Sequence, residues 1–299
     1  MSKKVLAIYY SQSGQLGEII DNFTTPLTDA GVTVEKVRIQ TAEEYIFPWT
    51  GERFYSVMPD CVLGVTTPLT PFTLKESSYD LIIVGYQPWF LYPSIPSSSL
   101  LQHPVFTAVA RNTPVITISE ARNMWLNAFE GVKKLLSDTG ARLVGNIALV
   151  DRHPNVISFV TIFHWLLGGK KDRKWNIFPK PGVSDEDIAN TKTYGKLVIP
   201  CLQNNNWQEL QSDLLRHKAV EVKYPLWLLE TTAVPTYVKW AQLLVKKKKT
   251  TFWLAAFKYY ILIALFIGAP ILLIIDALFI KPFSSRRIKE KKQYYLALN

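Results

Sequence analysis

Lys4–Gln15 reads KVLAIYYSQSGQ. Its first seven residues are a short apolar run of β-favouring types, as a buried strand requires. The run stops at Ser11-Gln12-Ser13-Gly14-Gln15, and apolar residues then recur at helical spacing (Leu16, Ile19, Ile20, Phe23). A buried strand, a Ser/Gly turn and an amphipathic helix in that order predict the opening of an alternating strand–helix fold.

The chain outward from this stretch repeats the pattern. Val32–Ile39 alternates like a half-buried strand, while Leu81–Gly85, Pro114–Ser119 and Arg142–Val150 are continuous apolar runs typical of buried parallel strands. Helical spacing lies between them at Ser97–Arg111 and Ala121–Thr139. Ser184–Leu202 follows, opening on Ser184 with acidic Asp185, Glu186 and Asp187, a capping start matched to the helix dipole. The expected fold is α/β, a doubly wound five-stranded parallel sheet over residues 1–203, with 151–183 as an insertion before the last helix. A helical amphipathic region (204–250) and an apolar segment with a basic tail (251–299) complete the chain.

Ligands of such sheets bind at the carboxyl ends of the strands, and three loops fall there. Ser11–Gln15 offers two hydroxyls, a flexible glycine and converging backbone amides at a helix N-terminus, an anion site without Lys or Arg. It lacks the Walker and dinucleotide glycine patterns. Tyr86–Ser99 carries three prolines and four aromatics, stiff flat surfaces for a planar ligand. Ser119–Trp125 adds polar groups and one aromatic. Together they predict a planar, phosphate-bearing cofactor. Glu120 and His153 are the candidate proton carriers. His103 and His164 read as structural, and Cys61 and Cys201 as small buried residues. No metal-ligand spacing and no nucleophile elbow is present.

The 299 residues carry a net charge of +10, and residues 239–299 account for all of it, with twelve Lys or Arg against Asp276 and Glu290. The first 238 residues are neutral, which argues against a nucleic-acid partner. Between the basic clusters, Phe252–Ile280 has only Lys258 and Asp276 as charges. As one helix it would be roughly 43 Å long, beyond the roughly 30 Å bilayer core. Gly268-Ala269-Pro270 predicts a break, so a single span and a one-leaflet hairpin both remain open. Basic flanks favour an anionic membrane surface on the cytoplasmic face of the inner membrane. The N-terminus has no signal-peptide pattern, and two cysteines fit a reducing compartment.

Ile8–Gln15 resembles the phosphate loop of flavodoxin-like proteins, hydrophobic-Tyr-x-Ser-x-Thr-Gly-x-Thr, and the Trp89/Pro93/Pro96 loop resembles their isoalloxazine loop. The resemblance covers about residues 3–203. It implies FMN as cofactor, with Ser11, Ser13, Gly14 and Gln15 at the phosphate and Gln87, Pro88, Trp89 and Phe90 at the ring. Ser119, Glu120, Arg122 and Asn123 fall at its other edge. Leu16 stands where the family's phosphate-binding Thr usually is, and Ala7 replaces a larger aliphatic. More narrowly, KKVLAIYYSQSGQLGEIIDNF with a basic-flanked apolar tail is similar to bacterial proteins of dialkylresorcinol and flexirubin pathways, known as dialkylresorcinol condensing enzymes. That similarity implies an aromatase acting on a hydrophobic dialkyl-cyclohexane-1,3-dione supplied by a partner ketosynthase, with a homo-oligomer also expected. An NAD(P)H:quinone reductase and a flavin-free membrane scaffold for partner enzymes are the alternatives.

Overall fold

A computed structural model describes residues 2–298 of the chain. The strands are β1 (Lys4–Tyr9), β2 (Thr33–Arg38), β3 (Leu81–Tyr86), the short hairpin strands β4 (Pro88–Trp89) and β5 (Tyr92–Pro93), β6 (Pro114–Ala121) and β7 (Arg142–Val150). The main sheet runs β2-β1-β3-β6-β7, all parallel. Leaving the hairpin aside, that is the 2-1-3-4-5 order of the flavodoxin-like fold.

Strand alternation explains the layering. Val5, Ala7 and Tyr9 of β1 pack with Leu81, Ile83, Ile116, Ile118, Ile147 and Leu149 on one face. Leu6, Ile8, Ile82, Val84, Tyr86 and Val115 build the core on the other. Each fully buried Leu, Ile or Val contributes about 1.5–3 kcal/mol, so both faces need helices. The first is covered by α1 (Gln15–Asp29) and α7 (Asp185–Asn204), the second by α3 (Ile95–Leu101), α4 (Pro104–Ala110) and α5 (Leu126–Thr139), with α2 (Gly51–Val62) beyond the sheet edge. The expected helix over Ser97–Arg111 is two short helices. Pro104 starts the second and forces the residue before it out of the helical region. The expected helix over Ala121–Thr139 begins only at Leu126, because β6 continues to Ala121.

Residues beyond 203 share these cores. After α6 (Asn155–Gly168) and α7 come α8 (Leu210–Arg216) and α9 (Tyr224–Lys246). Leu210 and Leu214 of α8 close the first sheet face over Gly145, where an added Cβ would meet both at 3.3 Å. Helices α2, α6 and α9 and the apolar C-terminal helix form a third cluster around Phe257.

The apolar helix runs unbroken from Thr251 to Phe283, and it is long and apolar enough to cross a membrane. The break expected at Gly268-Ala269-Pro270 is absent, and with it the hairpin. A π-turn over Ala264–Gly268 precedes Pro270, and its altered hydrogen-bond spacing accommodates the missing N–H and the ring without ending the helix. A basic helix, Ser285–Leu296, follows and returns to the domain.

Helices α1 and α7 meet at Gly195, where an added Cβ would lie 2.1 Å from the Phe23 carbonyl oxygen. Elsewhere in a helix Gly→Ala gains about 1 kcal/mol. Here the sign reverses: Gly195→Ala is expected to destabilise by about 3 kcal/mol, measured by urea unfolding, and an unchanged midpoint would refute this packing.

Candidate functional site

The carboxyl ends of β1, β3 and β6 converge on a cavity of about 210 Å³. Register explains the convergence: Tyr9 pairs with Gly85 and Tyr86 with Ser119, so the three loops leave the sheet at one level. The β1 loop contributes Gln12, Ser13 and Gln15, the β3 loop Gln87 to Leu91, and the β6 loop Glu120, Ala121, Arg122 and Met124. A roof legible only in three dimensions closes the cavity. Phe159, Phe163 and Trp165 of α6 supply it together with Tyr237 of α9 and Ile261 of the apolar helix. Residues 151–183, read from sequence as an insertion, form much of this cover.

The phosphate-type loop has the expected backbone. Gly14 sits at φ +91°, with no heavy atom within 4 Å of where a Cβ would stand. It caps α1, whose first-turn amides have no intrahelical acceptor. Ser13 Oγ is buried and has no hydrogen-bond partner among the described residues. Other expected ligands are committed elsewhere. Ser11 Oγ accepts from Gly17 N–H at 3.3 Å. Gln15 does not point its side chain at an anion: its Nε2 donates to Val183 O (3.1 Å) and its Oε1 accepts Val183 N–H (3.0 Å). That paired amide contact ties the end of the insertion to α1. Leu16 is a correction too, because its side chain is fully buried in the sheet core, where an apolar group gains more than it would beside an anion.

The ring-type loop is an aromatic wall held in a strained turn. Trp89 meets Tyr10, Tyr45 and Trp49 edge-on at 6.1, 5.2 and 5.3 Å. Phe90 (φ +48°) and Leu91 (φ +71°) both adopt left-handed backbone at the tip of the hairpin. Two consecutive non-glycine residues there are costly, and such strain is concentrated at ligand-binding loops. Asn127 Nδ2 fixes the tip by donating to Leu91 O at 2.8 Å. Gln87 Nε2 donates to Glu120 Oε2 at 2.8 Å, while Gln87 Oε1 is buried without a partner among the described residues.

Glu120 is the titratable group of the cavity. Burial pushes its carboxyl up to about 7, although the Gln87 hydrogen bond, Lys171 and the Leu16 N–H hold it down. Arg122, lowered to about 10 by burial, stays cationic at neutral pH, donating to Asn155 O and Oδ1 at 3.1 and 2.8 Å. Ser119 is fully buried within β6 and does not line the cavity. Asn123 and His153 do not join it either: both line a second cavity on the far side of the Arg122–Asn155 contact. Arg122 and Met124 line the first cavity and Asn123 between them the second, so adjacent residues face different chambers. His103 caps α4, and His164 pairs with Asp172 at 2.7 Å. Cys61 is buried, and burial pushes its thiol up.

Part of the donor and acceptor set fits a planar phosphate monoester cofactor. Ser13 Oγ suits a phosphate oxygen, Trp89 and Phe90 suit a flat ring, and Gln87 Oε1 suits a ring N–H, while of the first-turn α1 amides Gly17 N–H is given to Ser11 Oγ and Leu16 N–H to the Glu120 carboxyl.

No protein-family model matches the chain, and no curated protein matches it. Solved structures similar to it include a flavoprotein in complex with FMN from Lactobacillus acidophilus NCFM, 19% identical over 49% of this chain and 93% of that one, TM-score 0.41. Others are a flavodoxin from the domain Archaea (12% identity, 67% and 99% covered, TM-score 0.38) and a flavone reductase (9%, 68% and 64%, TM-score 0.37). The strand order carries the fold independently of these values.

Because Glu120 titrates near 7 when folded and near 4.5 when unfolded, the folded state holds the extra proton between those pH values. Stability therefore falls as pH rises from 4.5 to 7, by up to about 3 kcal/mol. Glu230, pushed up to about 7 by its own burial, adds a slope of the same sign over that range. Glu120→Gln is therefore expected to reduce the slope in urea unfolding by about half, and Glu120→Gln/Glu230→Gln to remove it; a wild-type slope that the single variant retains in full would refute the raised titration of Glu120.

Proposed function

We propose that this chain is a membrane-associated FMN-dependent oxidoreductase that aromatises a dialkyl-cyclohexane-1,3-dione, delivered by a partner ketosynthase, to a dialkylresorcinol. The observation that carries the flavin reading is the convergence of three strand-end loops on one cavity whose buried Ser13 Oγ and Gln87 Oε1 lack partners among the described residues. Bound FMN would supply a two-electron acceptor for a hydride. Ser13 would hold its phosphate, and Trp89, Phe90 and Gln87 its ring. With that acceptor bound, the dione would lose one ring hydrogen as the hydride and a neighbouring one as a proton, and enolisation would give the aromatic ring. Glu120, balanced near neutrality, takes the proton, and the Arg122 cation favours the enolate. The apolar roof excludes water and suits a hydrophobic substrate.

Gln15 and Leu16 support a second reading, a flavin-free scaffold, since neither side chain serves an anion. The visible spectrum of detergent-purified protein separates the two. The flavin reading expects one FMN per chain, with affinity about tenfold weaker in Ser13→Ala, and conversion of the dione to resorcinol under air. Neither bound flavin nor uptake of added FMN would leave the scaffold. Bound flavin bleached by reduced nicotinamide, with the dione untouched, would indicate a quinone reductase.

The membrane reading is that of a helix lying flat on one leaflet. At 33 residues the apolar helix is about 50 Å long, against a hydrocarbon core of about 30 Å. Both its ends are tied to the same body. Lys249 Nζ pairs with Asp60 Oδ2 (2.6 Å) just before it, Tyr224 OH donates to Asp276 Oδ1 (2.6 Å) near its end, and Gln211 Nε2 donates to Leu296 O (3.1 Å) beyond it. Leu254, Phe257 and Ile261 bury one side of its first half, where Tyr259, Ile263 and Ile267 are exposed; in its second half only Asp276 is buried, and Ile271, Ile274, Ile275 and Phe279 are exposed. Flotation with vesicles containing phosphatidylserine is expected to capture the protein and to lose most of it in Ile267→Asp/Ile271→Asp. A C-terminal epitope is expected to remain protease-accessible on the side of the domain; its protection inside the vesicle would refute the flat arrangement.

A further inference from the structure

The neutral sum over the first 238 residues conceals one local excess of charge. Residues 169–180, which leave α6, read GKKDRKWNIFPK, five cations against Asp172 alone. They carry Trp175, 71% exposed, and Ile177, 76% exposed. With Ile46 at 69%, these are the three most exposed large apolar side chains outside the apolar helix among the described residues. Single exposed apolar residues are ordinary, but these three belong to two adjoining loops. Phe47 meets Trp165 of α6 at 6.1 Å, and Pro48 lies 3.3 Å from where a Cβ of Gly169 would stand.

The tip of the longer loop is a built turn. Trp175 and Asn176 both have left-handed backbone, at φ +53° and +57°, and Arg173 Nε donates across the turn to Phe178 O at 3.3 Å. Lys174 Nζ lies 4.7 Å from the centre of the Trp175 ring. The neighbouring acids are committed: Asp172 to His164 at 2.7 Å, and Asp185 to Lys180 and Lys171 at 3.1 and 4.0 Å. Lys170, Arg173 and Lys174 form no ion pair among the described residues. An indole and an isoleucine held in water between unneutralised cations match an anionic interface, which takes both kinds of group.

Helix α6 carries this loop along the apolar helix. Val156 borders the second cavity with Ala269 and Leu273, Phe159 meets Phe266 at 5.9 Å, and Phe163 and Leu166 share the first cavity with Ile261. That order runs backwards along the apolar helix, so α6 is antiparallel to it. The loop therefore leaves toward the end that Lys246, Lys247 and Lys248 precede. The polarity of α6 is also inverted: Ser158 and Thr161 are buried, while Val156 and Leu167 are exposed. A helix in water shows the opposite pattern.

We infer that the loop of residues 169–180 is a second membrane contact. It places Trp175 and Ile177 among the headgroups and upper acyl chains of an anionic leaflet, with Lys170, Arg173 and Lys174 at the lipid phosphates. This rests on the reading that the apolar helix lies on that leaflet, and it extends the contact to the cover of the first cavity. A protein partner would need an apolar pocket matched to this tip, whereas the leaflet needs none and is continuous with the seat of the neighbouring helix.

The test is an environment-sensitive NBD label attached through Ile177→Cys to the full chain carrying Cys201→Ser. Cys61 is buried and leaves the label on one site. On vesicles containing phosphatidylserine the emission is expected to shift to the blue and to be quenched by nitroxides on the lipid acyl chains. Lys170→Gln/Arg173→Gln/Lys174→Gln, with wild-type circular dichroism, is expected to weaken binding in a lipid titration by at least about tenfold. Flotation of the same samples separates this inference from the reading it rests on. Captured protein whose label stays in water overturns the inference, leaves the apolar helix on the leaflet and turns the loop toward a protein partner. Undiminished affinity in the triple variant also overturns it. Failure of capture overturns both readings.

Discussion

A fully parallel sheet has two apolar faces, and both must be covered before it is stable in water. Everything else in this chain follows from that requirement. Crossover helices return each strand to the same starting edge, so all strands point the same way and all their outgoing loops gather at one end. Tyr9, Gly85, Tyr86 and Ser119 are locked in register, and the loops that follow have little freedom to be anywhere but around one cavity. Covering the first face needs α8 as well as α1 and α7, which draws the chain beyond residue 203 into the fold.

The cavity then acquires its chemistry from what the cover leaves inside. Aromatic side chains from the β3 loop and α6 exclude water, and in that low-dielectric space a carboxyl loses its preference for charge. Glu120 is held at the balance point by one amide from Gln87 and the N–H of Leu16. The Arg122 cation is satisfied by amide oxygens of Asn155 rather than by a carboxylate, leaving its charge for the cavity it lines. The same Asn155 oxygen orders Asn123 on the other side. One side chain thus sets the polarity of two neighbouring chambers.

The apolar helix links these chambers to the surface. It contributes Ile261 to the first and Leu265, Ala269 and Leu273 to the second, while its opposite side carries exposed Ile and Phe. An apolar helix between two basic clusters is drawn to an anionic interface.

The strands of the sheet were legible in sequence because periodicity and apolar runs are local signals, and so was the Ser13–Gly14 loop, since its chemistry lies in five consecutive residues. The aromatic loop was legible in composition, but not its left-handed tip at Phe90 and Leu91. The fates of Gln15, Leu16, Asn123 and His153 were not legible. Gln15 is claimed by Val183, 168 residues away, and Asn123 faces the opposite chamber from its neighbour Arg122. The helix through Pro270 also depends on packing at both ends, which no local propensity encodes. The sequence by itself therefore determined the fold class, the cavity-bearing end of the sheet and the charge asymmetry, all written in short-range pattern. Only the tertiary structure decided which side chains meet, which are spent on one another and where the apolar helix lies, because those outcomes depend on contacts between residues far apart in the chain.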